Sequence, residues 1–152
     1  MEEGVDFRIR PFHRKDQADC KELILSGLAG HFGPLDLNLN QDLDDIETSY
    51  LASGSAFVVA ERDTRIIGTG ALIFETEADA RIVRLSVLSN TRRFGVGEAI
   101  VRNLITRARE TGFRAINVET NHDWHPARNL YEKIGFFISG FDEGSVHYKI
   151  NL

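Results

Sequence analysis

The chain has 152 residues, enough for one domain with a buried core, and 42% of them are apolar while 27% are charged. Its 18 basic and 23 acidic residues give a net charge of −5, which excludes a generic nucleic-acid binder. The single cysteine, Cys20, excludes a disulfide framework and a thiolate metal cluster. Because there is no apolar run of about 20 residues and no signal-peptide pattern, we expect one cytoplasmic domain over residues 1–152.

The charges are unevenly distributed along the chain. Segment 26–50 contains five carboxylates and neither Lys nor Arg, whereas eight arginines lie within residues 81–114. One part of the surface is therefore expected to favour a cation and another an anion. Two solvated helix faces would produce the same pattern, so charge alone leaves both interpretations open.

In chain order, hydrophobic periodicity first predicts a strand over 5–12, where apolar and polar residues alternate. A helix follows over 13–31, and a second helix, rich in Asp at its start, over 40–53. The next predicted elements are a hairpin over 55–75 and a strand over 80–88.

The second half of the chain alternates helices and strands. Apolar residues recur at helical spacing over 97–111, and a strand over 113–120 and a short helix over 125–135 follow. Two strands, over 136–140 and 146–150, end the chain. The order β-α-α-β-β-β-α-β-α-β-β predicts a single-domain α/β fold whose mixed, mostly antiparallel sheet is flanked by helices.

A turn rich in glycine and arginine, "RRFGVG" (92–97), leads into the third predicted helix. The first amides of a helix have no internal partner, and the helix dipole favours an anion there. Gly95 and Gly97 open those amides to close approach, and Arg92 and Arg93 add donors suited to phosphate. The turn therefore predicts a phosphate or pyrophosphate site, without the Lys-Ser/Thr of a Walker loop or the G-x-G-x-x-G of a dinucleotide fold. A tight turn with two exposed arginines is the alternative.

Two segments, "LSVLSNTRRFGVGEAIVRNLI" (85–105) and "ARNLYEKIGF" (127–136), together resemble the GNAT-type N-acetyltransferase superfamily. "LSVLSNTRRFGVGEAIVRNLI" (85–105) is similar to its acetyl-CoA signature, Arg/Gln-x-x-Gly-x-Gly/Ala after a strand ending in Leu-x-Val. "ARNLYEKIGF" (127–136) is similar to its second signature, Ala-x-x-Leu-Tyr-x-x-x-Gly-Phe. The element order agrees over essentially the whole chain. The resemblance implies a sheet that is splayed between its fourth strand (80–88) and its fifth strand (113–120).

The resemblance also implies an acyltransferase that uses acetyl-CoA as co-substrate and has no metal site. In the family, the turn amides hold the CoA pyrophosphate, and the fourth strand binds the pantetheine arm through its backbone. Gly97→Asp is expected to abolish CoA binding and to leave the fold intact. The residues assigned to acetyl-CoA in this way are Leu85, Val87, Arg92, Arg93, Phe94, Gly95, Val96, Gly97 and Glu98.

Catalytic residues follow from the same resemblance. Tyr131 matches the tyrosine that protonates the departing CoA thiolate as general acid, and packing of its ring beside Leu130 and Phe136 is the structural alternative. An acceptor amine must also lose a proton before it attacks, but Arg81 stands where many relatives carry a glutamate. Water remains open as the proton acceptor. The side chains that remain candidates for the base are Glu75, Glu77, Glu119, His122 and His125.

The family builds its acceptor site largely from segment 26–50. Its carboxylates predict attraction of a cationic primary amine, on a small molecule or a peptide. Trp124 stands where relatives often have an asparagine that holds pantetheine, and Asn121 offers a substitute amide.

We expect no nucleic-acid or membrane partner and leave the oligomeric state open; exposed last strands often mediate pairing in the family, so segment 146–150 is the candidate for a homodimer contact. The alternative function is a non-catalytic CoA-binding sensor or interaction module. Arg81 mildly favours that alternative, because the usual catalytic glutamate is missing, whereas Tyr131 favours an enzyme.

Overall fold

A seven-stranded mixed sheet forms the centre of the fold. A computed structural model of the chain describes residues 6–32 and 37–152, apart from the side chains at 31, 32, 37, 38, 92 and 93. The strands lie in the order β1-β2-β3-β4-β5-β7-β6, and β4 runs parallel to β5 while the other neighbours are antiparallel. Their bounds are β1 (Arg8–Pro11), β2 (Ala56–Arg62), β3 (Arg65–Phe74), β4 (Asp79–Val87), β5 (Ala115–Asn121), β6 (Phe137–Asp142) and β7 (Ser145–Asn151).

Three regular helices pack on the sheet in the described part of the chain. They are α1 (Gln17–Phe32), α2 (Val96–Thr111) and α3 (His125–Ile134). The predicted α/β fold with a mostly antiparallel sheet is confirmed. None of the helices in the described ranges has the length and apolar character that a membrane span requires.

Helix α2 packs closely on the sheet because β3 carries glycine beneath it. Ile100 and Leu104, on the apolar stripe of α2, are fully buried. A Cβ atom added at Gly70 would lie 2.5 Å from Ile100 Cγ2, and one added at Gly68 would lie 2.8 Å from Ile100 Cδ1. The two glycines of β3 therefore set how near the helix comes to the strands.

The opposite face of the sheet has its own core. Successive strand residues point to opposite faces, so Val58 packs with α2 while its neighbour Phe57 faces the other way. There Phe57 meets Cys20 and Ile24 of α1 and Leu43 of the following segment. The segment after α1, which carries Leu43, Ile46 and Tyr50, is thus anchored to the sheet by apolar contacts.

The prediction of a helix over 40–53 is wrong in its form. The chain makes a 3-10 segment over Leu37–Asp44, interrupted by a non-helical Asn40 (φ −127°, ψ 39°). A single π turn over Glu47–Leu51 follows.

Side chains explain this irregularity, because they compete for backbone hydrogen bonds. The Asp45 carboxylate accepts from the backbone N–H of Thr48 at 3.1 Å and from its hydroxyl at 2.9 Å. The Gln17 amide donates to the Leu43 carbonyl at 2.6 Å and accepts from the Ile46 N–H at 2.9 Å. These bonds replace the regular ladder of an α-helix.

The expectation that segment 146–150 forms an exposed edge is also wrong. The segment belongs to β7, which pairs with β5 on one side and with β6 on the other. The edge strand on this side of the sheet is β6, on which Phe137 and Phe141 are exposed.

Gly70→Ala tests the packing of α2 on β3. The added methyl group overlaps Ile100, so we expect the free energy of unfolding to fall by about 1–3 kcal/mol. Gly140→Ala in β6 is the matched control, because a Cβ there meets no atom within 4 Å. Urea unfolding of both variants measures the difference, and equal stabilities would contradict the account.

Candidate active site

The parallel strands β4 and β5 part halfway along their length. They pair from Asp79 opposite Ala115 to Ile82 opposite Val118, and the pairing ends there. Both strands continue beyond this point, so the backbone of the second half of β4 has no strand beside it on the β5 side. The splay predicted between the fourth and fifth strands is confirmed.

A bulge in β4 lies at the start of the parting. The register with β3 shifts here, so that Gly70 faces both Arg84 and Leu85. Arg84 takes a left-handed conformation (φ 55°), which a non-glycine residue adopts at a cost. The Thr69 hydroxyl supports the bulge by donating to the Arg84 carbonyl at 2.8 Å. A bulge bends its strand, and this one turns β4 away from β5.

A first cavity of about 530 Å³ occupies the space between the parted strands. It is bordered by the free part of β4, the end of β5, the start of α2 and α3. The cavity brings together residues from the strand and the turn that the sequence assigns to acetyl-CoA. Those that line it are Leu85, Val87, Gly95, Gly97 and Glu98.

The start of α2 presents amides toward this cavity. The first helical hydrogen bond of α2 joins the Ala99 N–H to the Gly95 carbonyl at 3.0 Å. The N–H groups of Val96, Gly97 and Glu98 precede it and are the orphan donors of a helix N-terminus. Gly95 itself caps the helix with a left-handed backbone (φ 78°). This geometry suits an anion.

Two other residues of the turn, Phe94 and Val96, pack in or against the core. The side chain of Val96 is fully buried in the core, and Phe94 packs against that core, so neither lines the cavity. The backbone of Arg92 and Arg93 belongs to a short 3-10 segment, Ser89–Phe94, that leads into the helix cap.

Gly97 has a packing role as well. A Cβ at this position would lie 3.3 Å from Leu130 Cδ2 and 3.5 Å from Val87 Cγ2. An aspartate would therefore bury its carboxylate against two apolar side chains. The expectation that Gly97→Asp leaves the fold intact is revised, because the substitution also disturbs the contact of α2 with α3 and β4.

A second cavity, of about 570 Å³, adjoins the first at the parting of the strands. Glu119, Arg84 and Trp124 border both cavities. Of the carboxylates that line the described walls, Glu119 alone borders both. The polar and aromatic residues that line the second cavity include Asp42, Tyr50, Arg81, Asn121 and Ser145.

An ion-pair network joins Arg84 of the bulge to the segment between α1 and β2, at Asn40 and Asp42. Arg84 donates from Nε to Asp42 Oδ2 at 2.9 Å and from Nη2 to Asp42 Oδ1 at 2.6 Å. Its Nη1 donates to Asn40 Oδ1 at 3.0 Å, and the Tyr50 hydroxyl donates to Asp42 Oδ2 at 2.5 Å. Burial alone would raise the pKa of Asp42, but the bonds from Arg84 and Tyr50 outweigh it and hold that pKa below its ordinary value. Burial and the nearby Asp42 raise the pKa of Tyr50 to about 12.

The acidic segment does not present a field of free carboxylates to the cavity. Asp42 reaches the cavity, but Arg84 compensates its charge. The other carboxylates have partners elsewhere, since Asp44 pairs with Lys21 at 2.7 Å and Asp45 bonds Thr48. Glu47 pairs with Arg14 at 2.8 Å, and Asp36 lies outside the described residues.

The structure separates the candidates for the general base. Glu75 receives two hydrogen bonds from Arg81, each of 2.9 Å, which lower its pKa and make it a poor base. Glu77, His122 and His125 are exposed and line neither cavity.

Glu119 differs from the other candidates in its place at the cavities. It borders both cavities, and its side chain is 43% exposed. Arg81 approaches it only to 3.9 Å, because the shorter contacts of that guanidinium go to Glu75. Glu119 is therefore held near a cation and still open to a second molecule.

Tyr131 is both packed and placed at the cavity. Its ring lies 5.5 Å from the Phe136 centroid and 5.8 Å from the Tyr148 centroid, and the residue is only 3% exposed. It nevertheless lines the first cavity. Burial raises the pKa of Tyr131, so its hydroxyl keeps its proton at neutral pH.

Trp124 marks the junction of the cavities. It stands directly before α3, and its backbone N–H donates to the Asn121 carbonyl at 3.0 Å. Asn121 lines the second cavity rather than the first, so it does not replace the asparagine that Trp124 displaces.

Sequence reasoning missed the role of Arg84 and its bond to Asp42. The two residues are 42 positions apart, and no local pattern links them. The only signal was the high density of arginine after residue 80, which does not identify the one that is paired. It also missed a contact between Asp142 and His147, whose nearest atoms are 2.5 Å apart.

Together, the parted strands, the bulge and the helix N-terminus define an open-sheet α/β domain that can hold an extended anionic ligand edge-on. The Acetyltransferase (GNAT) family model matches residues 27–136, and the chain belongs to this family. It is 38% identical over 113 residues to the "Probable N-acetyltransferase camello" of Xenopus tropicalis, a match that covers 72% of this chain and 49% of that protein. The chain thus spans about half the length of the curated relatives it matches.

Solved structures agree on the fold. A GNAT-family acetyltransferase from Staphylococcus aureus Mu50 superposes with a TM-score of 0.88 at 24% identity, covering 97% of this chain and 99% of that one. The PaiA N-acetyltransferase of Thermoplasma acidophilum, solved with coenzyme A, superposes with a TM-score of 0.84 at 14% identity, with coverages of 97% and 99%.

Asp42→Asn tests the network at the bulge. Losing a charge-assisted bond is expected to lower the free energy of unfolding by about 1–2 kcal/mol near pH 7. Because folding lowers the pKa of Asp42, its stabilisation is present above the ordinary Asp pKa and is lost as the pH falls below about 4. The variant should therefore lose less stability on acidification than the wild type does.

Urea unfolding near pH 7 and again below about pH 4 measures this difference in stability. Asp44→Asn is the matched control, because its pair with Lys21 is exposed and should contribute little. An acid response of Asp42→Asn identical to that of the wild type would contradict the account.

Proposed function

We propose that this chain is an N-acetyltransferase that moves the acetyl group of acetyl-CoA to a primary amine of a small molecule or a peptide. The observation that carries the proposal is the first cavity, which runs along the free half of β4 from the start of α2 to Tyr131 and Glu119. Membership of the GNAT family supports the same reaction. The acceptor occupies the second cavity and attacks at the junction of the two.

We assign acetyl-CoA to the first cavity, because a free strand edge and a helix N-terminus border it. We assign its pyrophosphate to the amides of residues 95–98 together with Arg92 and Arg93. Its pantetheine arm lies along Leu85 and Val87, where the unpaired edge of β4 offers backbone donors and acceptors as in strand addition. Phe94 and Val96 act through the packing that holds the turn in place.

Glu119 is the proposed general base. Acetyl-CoA supplies an activated carbonyl, but only a neutral amine has the lone pair to attack it. Glu119 borders the junction of the cavities, whereas Glu75 is held by Arg81. The carboxylate that removes the amine proton is thus supplied by β5 in this chain, while β4 carries Arg81 at the position of the usual glutamate.

Tyr131 is the proposed general acid. Its buried hydroxyl is neutral and lines the cavity that we assign to the thioester end of pantetheine. As negative charge develops on the departing sulfur, the hydroxyl donates its proton to that atom. The rings of Phe136 and Tyr148 hold Tyr131 in position, so packing and catalysis are compatible roles.

The alternative, a CoA-binding module without catalysis, makes a different prediction for one experiment. Purified protein is incubated with acetyl-CoA and a panel of amino acids, polyamines, arylalkylamines and short peptides, and free thiol is measured. Thiol release that depends on an amine supports the transferase. Binding of acetyl-CoA without release in the whole panel supports the module.

Arg92→Ala tests the pyrophosphate site. Loss of a charge-assisted contact of about 1–3 kcal/mol should weaken CoA binding roughly 5- to 150-fold, as measured by calorimetry with coenzyme A. Arg109→Ala is the matched control, because it removes the same charge from the far end of α2. Equal weakening by both variants would indicate a general charge effect, and no binding to the wild type would contradict the proposal.

Tyr131→Phe tests the general acid. The variant keeps the packed ring, so we expect acetyl-CoA to bind as before while kcat falls by about 10²-fold. Tyr148→Phe is the control, because that hydroxyl bonds Glu132 and Arg128 and lines neither cavity. Steady-state kinetics with the best amine of the panel separates the two, and an unchanged kcat for Tyr131→Phe would leave the tyrosine with packing alone.

A further inference from the structure

Three ionisable side chains from neighbouring strands meet beside the second cavity. Glu119 of β5, Asp142 of β6 and His147 of β7 each bring one oxygen or nitrogen atom to within 4.8 Å of the other two. His147 Nε2 lies 2.5 Å from Asp142 Oδ2, and His147 is the register partner of Glu119. The group thus joins a cavity-lining carboxylate to a His–Asp pair that the reaction above does not use.

The surroundings of the imidazole are mixed in charge. Glu119 faces it from β5 and Asp142 from β6, while Lys149 lies two residues along on its own strand. Lys149 is engaged with Asp79 at 3.6 Å, and Arg81 of β4 contacts Glu119 from the far side at 3.9 Å. Two carboxylates therefore adjoin the ring, and each nearby cation has a carboxylate partner.

We propose that His147, oriented by Asp142, receives the proton that Glu119 removes from the acceptor and passes it to solvent. The inference rests on the proposed function, because it needs Glu119 to act as the base. His147 acts through Glu119 and touches no substrate, so its role is that of a positioning and proton-accepting residue.

The need for such a relay follows from the protons of the reaction. A nitrogen that begins as an ammonium and ends as an amide gives up two protons. One of them returns to the Tyr131 oxygen in place of the proton that the tyrosine gave to sulfur, and the other, taken by Glu119, is released to solvent. Glu119 must therefore return to its carboxylate form within each turnover, and a neighbouring imidazole can take its proton.

The geometry gives this proton a path outward. A span of up to 4.8 Å between Glu119 and His147 is one that a single water molecule bridges by two hydrogen bonds. The Asp142 carboxylate lies within hydrogen-bond distance of His147 Nε2 and orients the ring. The His147 side chain is 25% exposed and that of Asp142 is 69% exposed. A proton that leaves the cavity-lining Glu119 therefore reaches bulk water after one transfer, to His147.

The chain contains a matched control pair. His122 and Asp123 also form a His–Asp contact, at 3.3 Å, and neither lines the two cavities. We expect His147→Gln and Asp142→Asn to lower kcat by about tenfold at neutral pH, with the acceptor KM and the Kd of acetyl-CoA unchanged. His122→Gln should behave like the wild type.

Two kinetic readouts separate a relay from a purely structural role. The deficit of His147→Gln should shrink at alkaline pH, where the acceptor amine is already neutral and hydroxide can take the proton. Free imidazole in the buffer should restore much of the kcat of His147→Ala, because the site is open to solvent. It should not raise the kcat of Glu119→Gln.

A measurement without acetyl-CoA tests the contacts themselves. In proton NMR spectra, the hydrogen-bonded ring N–H of His147 should give a downfield signal that Asp142→Asn removes and Glu119→Gln shifts. The signal of His122 should not respond to either substitution. If His147→Gln fails to fold, Asp142→Asn carries the kinetic test, because its side chain is largely exposed.

The outcomes are distinguishable. Wild-type transfer to an amine with unchanged kcat in both His147→Gln and Asp142→Asn would overturn the relay and leave the proposed function standing. No transfer by the wild type to any amine of the panel would overturn both. Loss of activity in EDTA with recovery in Zn²⁺ would also overturn the relay, because the three side chains would then hold a cation.

Discussion

The bulge in β4 is the constraint on which the rest of the site depends. It places Arg84 in a left-handed backbone, at a cost of about 1–3 kcal/mol for a non-glycine residue, and it bends β4 away from β5. The bidentate pair with Asp42 and the hydroxyl of Thr69 hold that conformation from two sides. Without the bend the parallel ladder would continue beyond Ile82, and the space between the strands would close.

Local patterns in the sequence predicted what local physics determines. Alternation and helical spacing located every regular strand and helix of the described chain, and the glycine–arginine turn identified the open start of α2. The prediction of a helix over 40–53 was wrong because side chains take over backbone hydrogen bonds there. Asp45 bonds the Thr48 N–H, and Gln17, which is distant in sequence, bonds Leu43 and Ile46. The prediction that segment 146–150 is an exposed strand was wrong because the order of strands is a property of the whole sheet. A pattern of five residues does not determine it.

Charge shows the same division between what is local and what is not. The uneven distribution of acidic and basic residues suggested two opposed surface fields, but the structure pairs them across the molecule, Asp42 with Arg84 and Asp44 with Lys21. Among the residues that the structure describes, the carboxylate that borders both cavities is Glu119, with a guanidinium at 3.9 Å. On the proposed assignment, the shape of the second cavity and that carboxylate matter more for recognition of the acceptor than net charge does.

Arg81 of β4 bears on the roles proposed for residues of β5, β7 and β6. On the proposed assignment, it moves the catalytic carboxylate from β4 to β5, because a guanidinium cannot accept a proton. A base on β5 has β7 as its other neighbour, and β7 brings His147 into register with Glu119. A base at position 81 of β4 would instead lie between its register partners Ile73 of β3 and Asn117 of β5, neither of which is a histidine. On the proposed relay, Arg81 and the His–Asp pair on β6 and β7 belong to one arrangement, in which the proton moves from Glu119 across β7 toward the edge strand β6.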